Sequence, residues 1–112
     1  MAKKPEYNYK SLQTEYGKMP PQAVDLEEAI LGSLMLEKDA FITVSDFLKP
    51  ECFYKEAHQK IYRGIQNLSL NNEPVDILTV SEEMKRLGEL EEIGGYYYLA
   101  QLTSKVASAA PI

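Results

Sequence analysis

Histidine and cysteine are scarce in this chain of 112 residues: it has one of each, and no tryptophan. A single cysteine excludes an internal disulfide and fits a reducing cytoplasm. Cys52 and His58 lie six apart, which is not a recurrent metal-ligand spacing, and two such residues are too few for a structural zinc site. They also lack an orienting third group for nucleophilic catalysis. Cys52 adjoins Phe53 and reads as a small core residue, while His58, beside an apolar helical stripe, reads as packed or partner-facing. The phosphate-cradling pattern Gly-x4-Gly-Lys-Ser/Thr is missing. The only glycine pair, Gly94-Gly95, follows no strand and reads as a turn or helix start. No stretch approaches the roughly 20 apolar residues that span a bilayer, and Met1-Ala2-Lys3-Lys4-Pro5 has no apolar core after its lysines, so it does not read as a secretory signal.

Positive charge is short as well. The chain carries 12 basic and 17 acidic residues. Residues 1–19 hold Lys3, Lys4, Lys10 and Lys18 against Glu6 and Glu15, leaving 8 basic and 15 acidic groups for the remainder. Neutralising phosphates needs clustered Lys and Arg. The acidic part opposes direct DNA binding.

What is present is helical periodicity. Residues 1–19 are polar with scattered tyrosines and read as a flexible N-terminal tail. Pro20-Pro21 presets a first helix running to about Leu36, with Asp25, Glu27 and Glu28 in its first turn and Ala23, Leu26, Ile30 and Leu34 as its apolar stripe. Asp39 is placed to cap a second, short helix with Phe41, Val44 and Leu48 on one face, stopped by Pro50. Tyr54, Ala57, Ile61, Ile65 and Leu68 line a third, ended by Asn71-Asn72 and Pro74. A fourth is capped by either Asp76 or Thr79 and stopped by Gly88. After Gly94-Gly95, a fifth carries Tyr98, Leu99, Leu102 and Val106 and frays near Ala107–Pro111. No segment alternates cleanly as a strand would. The pattern predicts an all-α fold, a compact bundle of about five to six short helices.

The acidic pairs Glu27-Glu28, Glu82-Glu83 and Glu91-Glu92 point about 100° apart on a helix, so they read as solvated faces rather than acid–base pairs. No catalytic, cofactor-binding or metal-binding residue emerges. The run Tyr96-Tyr97-Tyr98 is the sharpest oddity: three consecutive helical positions cannot all face one core, so one or two should be exposed, as interface tyrosines are.

Four blocks, in order, resemble the N-terminal domain of the hexameric bacterial replicative helicase of the DnaB type. They are Pro21–Leu36 with its Leu31-Gly32 step, Phe53–Tyr62 with Phe-Tyr-x3-His-x2-Ile, Glu73–Val80, and Gly88–Leu90 followed by Ile93–Leu102 with Gly-Gly-x2-Tyr-Leu-x2-Leu. The resemblance covers about residues 20–110; Pro111 stands where the family commonly has Asn. It implies a globular head over 20–93 and, over 94–112, the first helix of an incomplete helical hairpin. The linker and motor domain, which uses ATP and Mg, would lie beyond. The domain would pair with itself, form a collar on the hexameric ring, and offer surfaces to primase and, in some species, to a helicase loader. With its hairpin partner missing, the last helix should expose an apolar face or cover it with a second copy. Tyr96, Tyr97, Leu99, Leu102 and Val106 are therefore the candidate interface.

Two other readings stay open. The helicase-binding domain at the primase C-terminus shares this helical architecture, though the order of the blocks and the Met1 start favour the helicase. A single-stranded nucleic-acid-binding domain would use Tyr96, Tyr97 and the lysine-bearing tail, against the acidic balance of the rest.

Overall fold

The computed structural model describes residues 21–109, and the tail expected over 1–19 lies outside them. Five α-helices follow one another: α1 (Pro21–Leu36), α2 (Ala40–Val44), α3 (Glu56–Leu70), α4 (Ile77–Arg86) and α5 (Gly95–Ala109), with a 3-10 turn at Pro50–Cys52. No strand occurs among the described residues. The all-α expectation holds.

Local chemistry sets the boundaries. Asp76 rather than Thr79 is the N-cap of α4. Its Oδ1 accepts from the Thr79 N–H at 2.8 Å, and Thr79 Oγ1 accepts the Asp76 N–H at 2.9 Å, so the two candidates form one reciprocal box. At the other end Gly88 takes a left-handed φ of 75°. That turn lets the N–H groups of Gly88 and Glu89 reach the carbonyls of Lys85 and Met84. Asn72, also left-handed, ends α3 in the same way.

Asp39 behaves differently from expectation. It adopts a left-handed conformation (φ 71°) and its side chain makes no cap bond, because that backbone turns the carboxylate away from the helix amides. α2 stops at Val44, ahead of Pro50, yet Phe41, Val44 and Leu48 do pack on the core. Tyr54 precedes α3 instead of belonging to it.

The core joins Leu31, Leu34 and Met35 of α1, Ile61, Tyr62, Ile65 and Leu68 of α3, Val80 and Met84 of α4, and Leu99 and Leu102 of α5, with Phe53 and Ile93 from the connections. Phe53 and Phe41 flank the Tyr62 ring at 5.3 and 5.7 Å between centroids. The Tyr62 hydroxyl donates to the Leu48 carbonyl at 2.6 Å, fixing the loop after α2. α1 and α5 meet backbone to backbone at Gly32: a Cβ there would stand 2.3 Å from the Leu102 carbonyl oxygen and 2.7 Å from a Val106 methyl. The Leu31-Gly32 step is thus a close helix crossing that only glycine permits.

The inward face of α1 agrees only in part with the expected stripe. Leu34 is buried and Ile30 packs on the core as expected, but Leu26 is 54% exposed while Glu27, Leu31 and Met35 are buried. An acidic residue occupies an inward position, so counting apolar residues alone misplaced the start of the stripe. α1 begins at Pro21 and carries no acid in its first turn.

Candidate interaction surface and the buried polar strut behind it

The one histidine sits at the centre of the molecule. His58 on α3 is fully buried, and so is Glu27 on α1. Two carboxylate oxygens only accept, so His58 Nδ1–H donates to Glu27 Oε1 at 2.6 Å. The other ring nitrogen, Nε2, lies 2.7 Å from the Tyr98 hydroxyl of α5, within hydrogen-bond distance. Glu27 also takes the Tyr54 N–H at 2.5 Å and, more distantly, the Lys55 N–H at 3.5 Å. Lys55 is the N-cap of α3 and caps nothing with its own side chain. A carboxylate from α1 therefore supplies the negative charge that the start of α3 favours.

The strut continues outward. Tyr98 lies 3.2 Å from Glu28 Oε2, and Lys105 ties Glu28 and Asp25 at 2.9 and 3.1 Å. Burial first, then the neighbouring Glu28, push the Tyr98 phenol well above its ordinary value. A phenol held protonated between a histidine and a carboxylate is a poor nucleophile at neutral pH. Beside it lies a 240 Å3 hollow rimmed by Glu28, Gln101 and Lys105. The arrangement connects three helices by directed bonds. It presents no reacting group.

Other polar clusters are ties as well. Glu83 accepts from Asn67 of α3 and from Arg86, and the Arg86 guanidinium holds its carboxyl below the usual range. Lys60 of α3 pairs with Glu92 ahead of α5. Every buried side-chain polar atom among the described residues has a partner. No group of three His, Cys, Asp or Glu side chains converges as a metal site among them, and no described helix is long and apolar enough to cross a membrane.

Several expectations are corrected here. Cys52 is exposed, not core: the 3-10 turn carries it outward while Phe53 turns in. Glu27 and Glu83 are buried rather than solvated, each because specific donors face it. Of the five candidate interface residues, Leu99 and Leu102 are buried against α1 and belong to the chain's own core. α5 covers its apolar face intramolecularly, because glycine at position 32 brings α1 close enough to do so. Val106 is half-buried at the same crossing. Tyr96 and Tyr97 stand out at 50% and 73% exposure, adjacent at the start of α5, while Tyr98 beneath them anchors in the strut. Glu27's role left no sign in the sequence except its place four residues before Leu31 and seven before Leu34 on what proves to be the inward face.

A family model described as the DnaB-like helicase N-terminal domain matches residues 19–112. The replicative DNA helicase DnaB of Rhodothermus marinus is 47% identical over 102 residues, covering 91% of this chain. That of Geobacillus stearothermophilus is 41% identical over 95 residues, covering 85%. The chain spans 11% and 21% of the lengths of these two relatives. A crystal structure of the N-terminal domain of DnaB helicase from Mycobacterium tuberculosis superposes with a TM-score of 0.74 at 43% identity, covering 79% of this chain and 61% of that one. With the family model matching nearly all of its length and the helical fold shared, the chain belongs to the DnaB-like helicase N-terminal domain family.

Proposed function

We propose that this chain is an assembly and docking module, the collar part of a hexameric replicative helicase that unwinds DNA at the cytoplasmic replication fork. In this reading it pairs with a second copy through α5, the first helix of a hairpin, and offers its surface to primase and, where one is used, to a loader. ATP and Mg act in a motor domain of the parent protein rather than at residues of this segment. The observation that carries the reading is the exposed Tyr96–Tyr97 pair on a helix whose opposite face is locked into the core by Leu99, Leu102 and the Tyr98 bond to His58. A rigid base under two adjacent aromatic side chains is the arrangement of an interface anchor.

Sedimentation at rising concentration tests self-pairing: the mass should move from one copy toward two. Tyr96→Ala with Tyr97→Ala should raise the dissociation constant about tenfold or more, or about 1.4 kcal/mol, with unchanged circular dichroism. A chain that stays monomeric at high concentration sinks the pairing. Capture of a primase C-terminal domain tests docking. Micromolar, strongly salt-dependent binding of single-stranded DNA would instead favour a nucleic-acid-binding role.

A further inference from the structure

At the end of the molecule away from the start of α1, the α1–α2 turn and the α3–α4 connection enclose an apolar groove of about 470 Å3. Phe41 lies half-buried in it, and Leu36 and Ile42 stand on it at 48% and 67% exposure. Glu37, Asp39 and Glu73 surround them, all exposed, with Lys38 the one cation in the lining. None of the three acids has an ion-pair partner among the described residues. The left-handed turn that frees Asp39 from capping α2 leaves its carboxylate available. Neither the strut nor the Tyr96–Tyr97 face uses any of these groups.

Open apolar side chains beside unpaired carboxylates select a ligand that is both basic and apolar. The sequence contains one within reach. Lys3-Lys4-Pro5-Glu6-Tyr7-Asn8-Tyr9-Lys10 holds three lysines against one glutamate, with two tyrosines. No other stretch of this length combines such an excess of lysine with aromatics. α1 has 16 residues, about 24 Å at the helical rise. The chain between Lys10 and Pro21 spans up to roughly 36 Å when extended, enough to carry residues 3–10 along α1 to its far end. Lys18 is too near Pro21 to arrive there.

We infer that residues 3–10 dock in cis into this groove, with Tyr7 and Tyr9 on Leu36 and Ile42 and the lysines among Glu37, Asp39 and Glu73. Tethering supplies an effective concentration in the mM range, so a small contact suffices.

The test compares amide shifts of the isotopically labelled 112-residue chain, a variant starting at Pro21, and the 112-residue variant Lys3→Glu, Lys4→Glu, Lys10→Glu. Both variants should differ from the parent at residues 34–42 and 72–76, and the difference should shrink in high salt. The charge-reversed variant keeps every described core residue and the whole chain length, so its result stands even if truncation disturbs folding. An unlabelled peptide of residues 1–12 should shift the same amides of the truncated chain and need at least about fivefold more peptide on the full chain. Unchanged groove amides, or changes centred on Tyr96 and Tyr97, overturn the proposal. Differences that fade on dilution also overturn it, since a second copy would then supply the segment.

Discussion

Replacing Gly32 by alanine adds a single carbon at the point where α1 and α5 touch. Built on the present backbone, that carbon lies 2.3 Å from the Leu102 carbonyl oxygen, 2.9 Å from the carbon of the same carbonyl and 2.7 Å from Val106 Cγ2. An ordinary carbon–oxygen contact is about 3.3 Å or more, so the helices must part by about 1 Å. Val106 has a rotamer to change, but the Leu102 carbonyl is helix backbone and has none. A gap of that size forfeits a quarter to a half of each dispersion contact across it, and Leu31, Leu99 and Leu102 all lie at this seam. Overpacking typically costs about 1–3 kcal/mol; here the upper end applies, against a gain of up to about 1 kcal/mol from alanine's helix propensity. The net expectation is about 2 kcal/mol of destabilisation, a fall in Tm of roughly 8–16 °C for a domain this size.

Gly64→Ala is the control. Its Cβ would meet the Met84 sulfur at 2.8 Å and otherwise only Glu83 Cγ at 3.7 Å. A thioether tip is easily moved, and the same propensity gain applies, so stability should stay within about 1 kcal/mol of the parent. Calorimetric or dichroism melts of the two variants side by side decide the matter. Equal Tm shifts would show that position 32 is not a backbone contact, and the account of the α1–α5 crossing would fail.

Glu27→Ala removes the acceptor shared by His58 and the start of α3 and should cost about 3 kcal/mol, because His58 and the Tyr54 N–H are left buried without it; urea unfolding measures this, and a loss under about 1 kcal/mol would mean the strut is slack. Asp76→Ala removes the α4 cap and should lower stability by about 1 kcal/mol, with hydrogen exchange rising first at Thr79 and Val80. Burial pushes the Tyr62 phenol up to about 12 and raises Tyr98 as well. A raised folded pKa contributes stability that is complete below the unfolded value of about 10 and is lost as pH climbs through about 12. The urea midpoint should therefore fall over that window while tyrosinate absorbance lags, and a midpoint flat across it would contradict the burial of both phenols.

Periodicity and punctuation made most of the fold legible. α3 and α4 are strongly amphipathic and end on Asn71-Asn72 and Gly88, so their extents could be read almost residue by residue. α1 was legible in length but only partly in orientation, since its inward face includes a glutamate and a glycine, two residue types that hydropathy discounts. The division of α5 was hidden for a related reason. Apolar spacing identified Leu99, Leu102 and Val106 as one face but not what covers it, and the cover depends on Gly32, some seventy residues earlier. Long-range polar partners leave no local trace either: His58 finds Glu27 31 positions away and Tyr98 40 positions away.

Such a strut suits a docking module better than an all-apolar seam would. Replacing buried ionic groups by hydrophobic ones of similar shape is often neutral or stabilising, so stability alone does not account for Glu27, His58 and Tyr98. Their bonds are directional. They fix the rotation of α1, α3 and α5 about their own axes, which apolar packing constrains only loosely. Rotating α5 by one residue would carry Tyr98 out of reach of His58 Nε2 and swing Tyr96 and Tyr97 by about 100°. The strut therefore sets which side chains of α5 face outward, and a variant that keeps volume but removes direction, such as His58→Leu, should disturb partner binding more than it lowers Tm. Binding that weakened only in proportion to lost stability would assign the strut to folding alone.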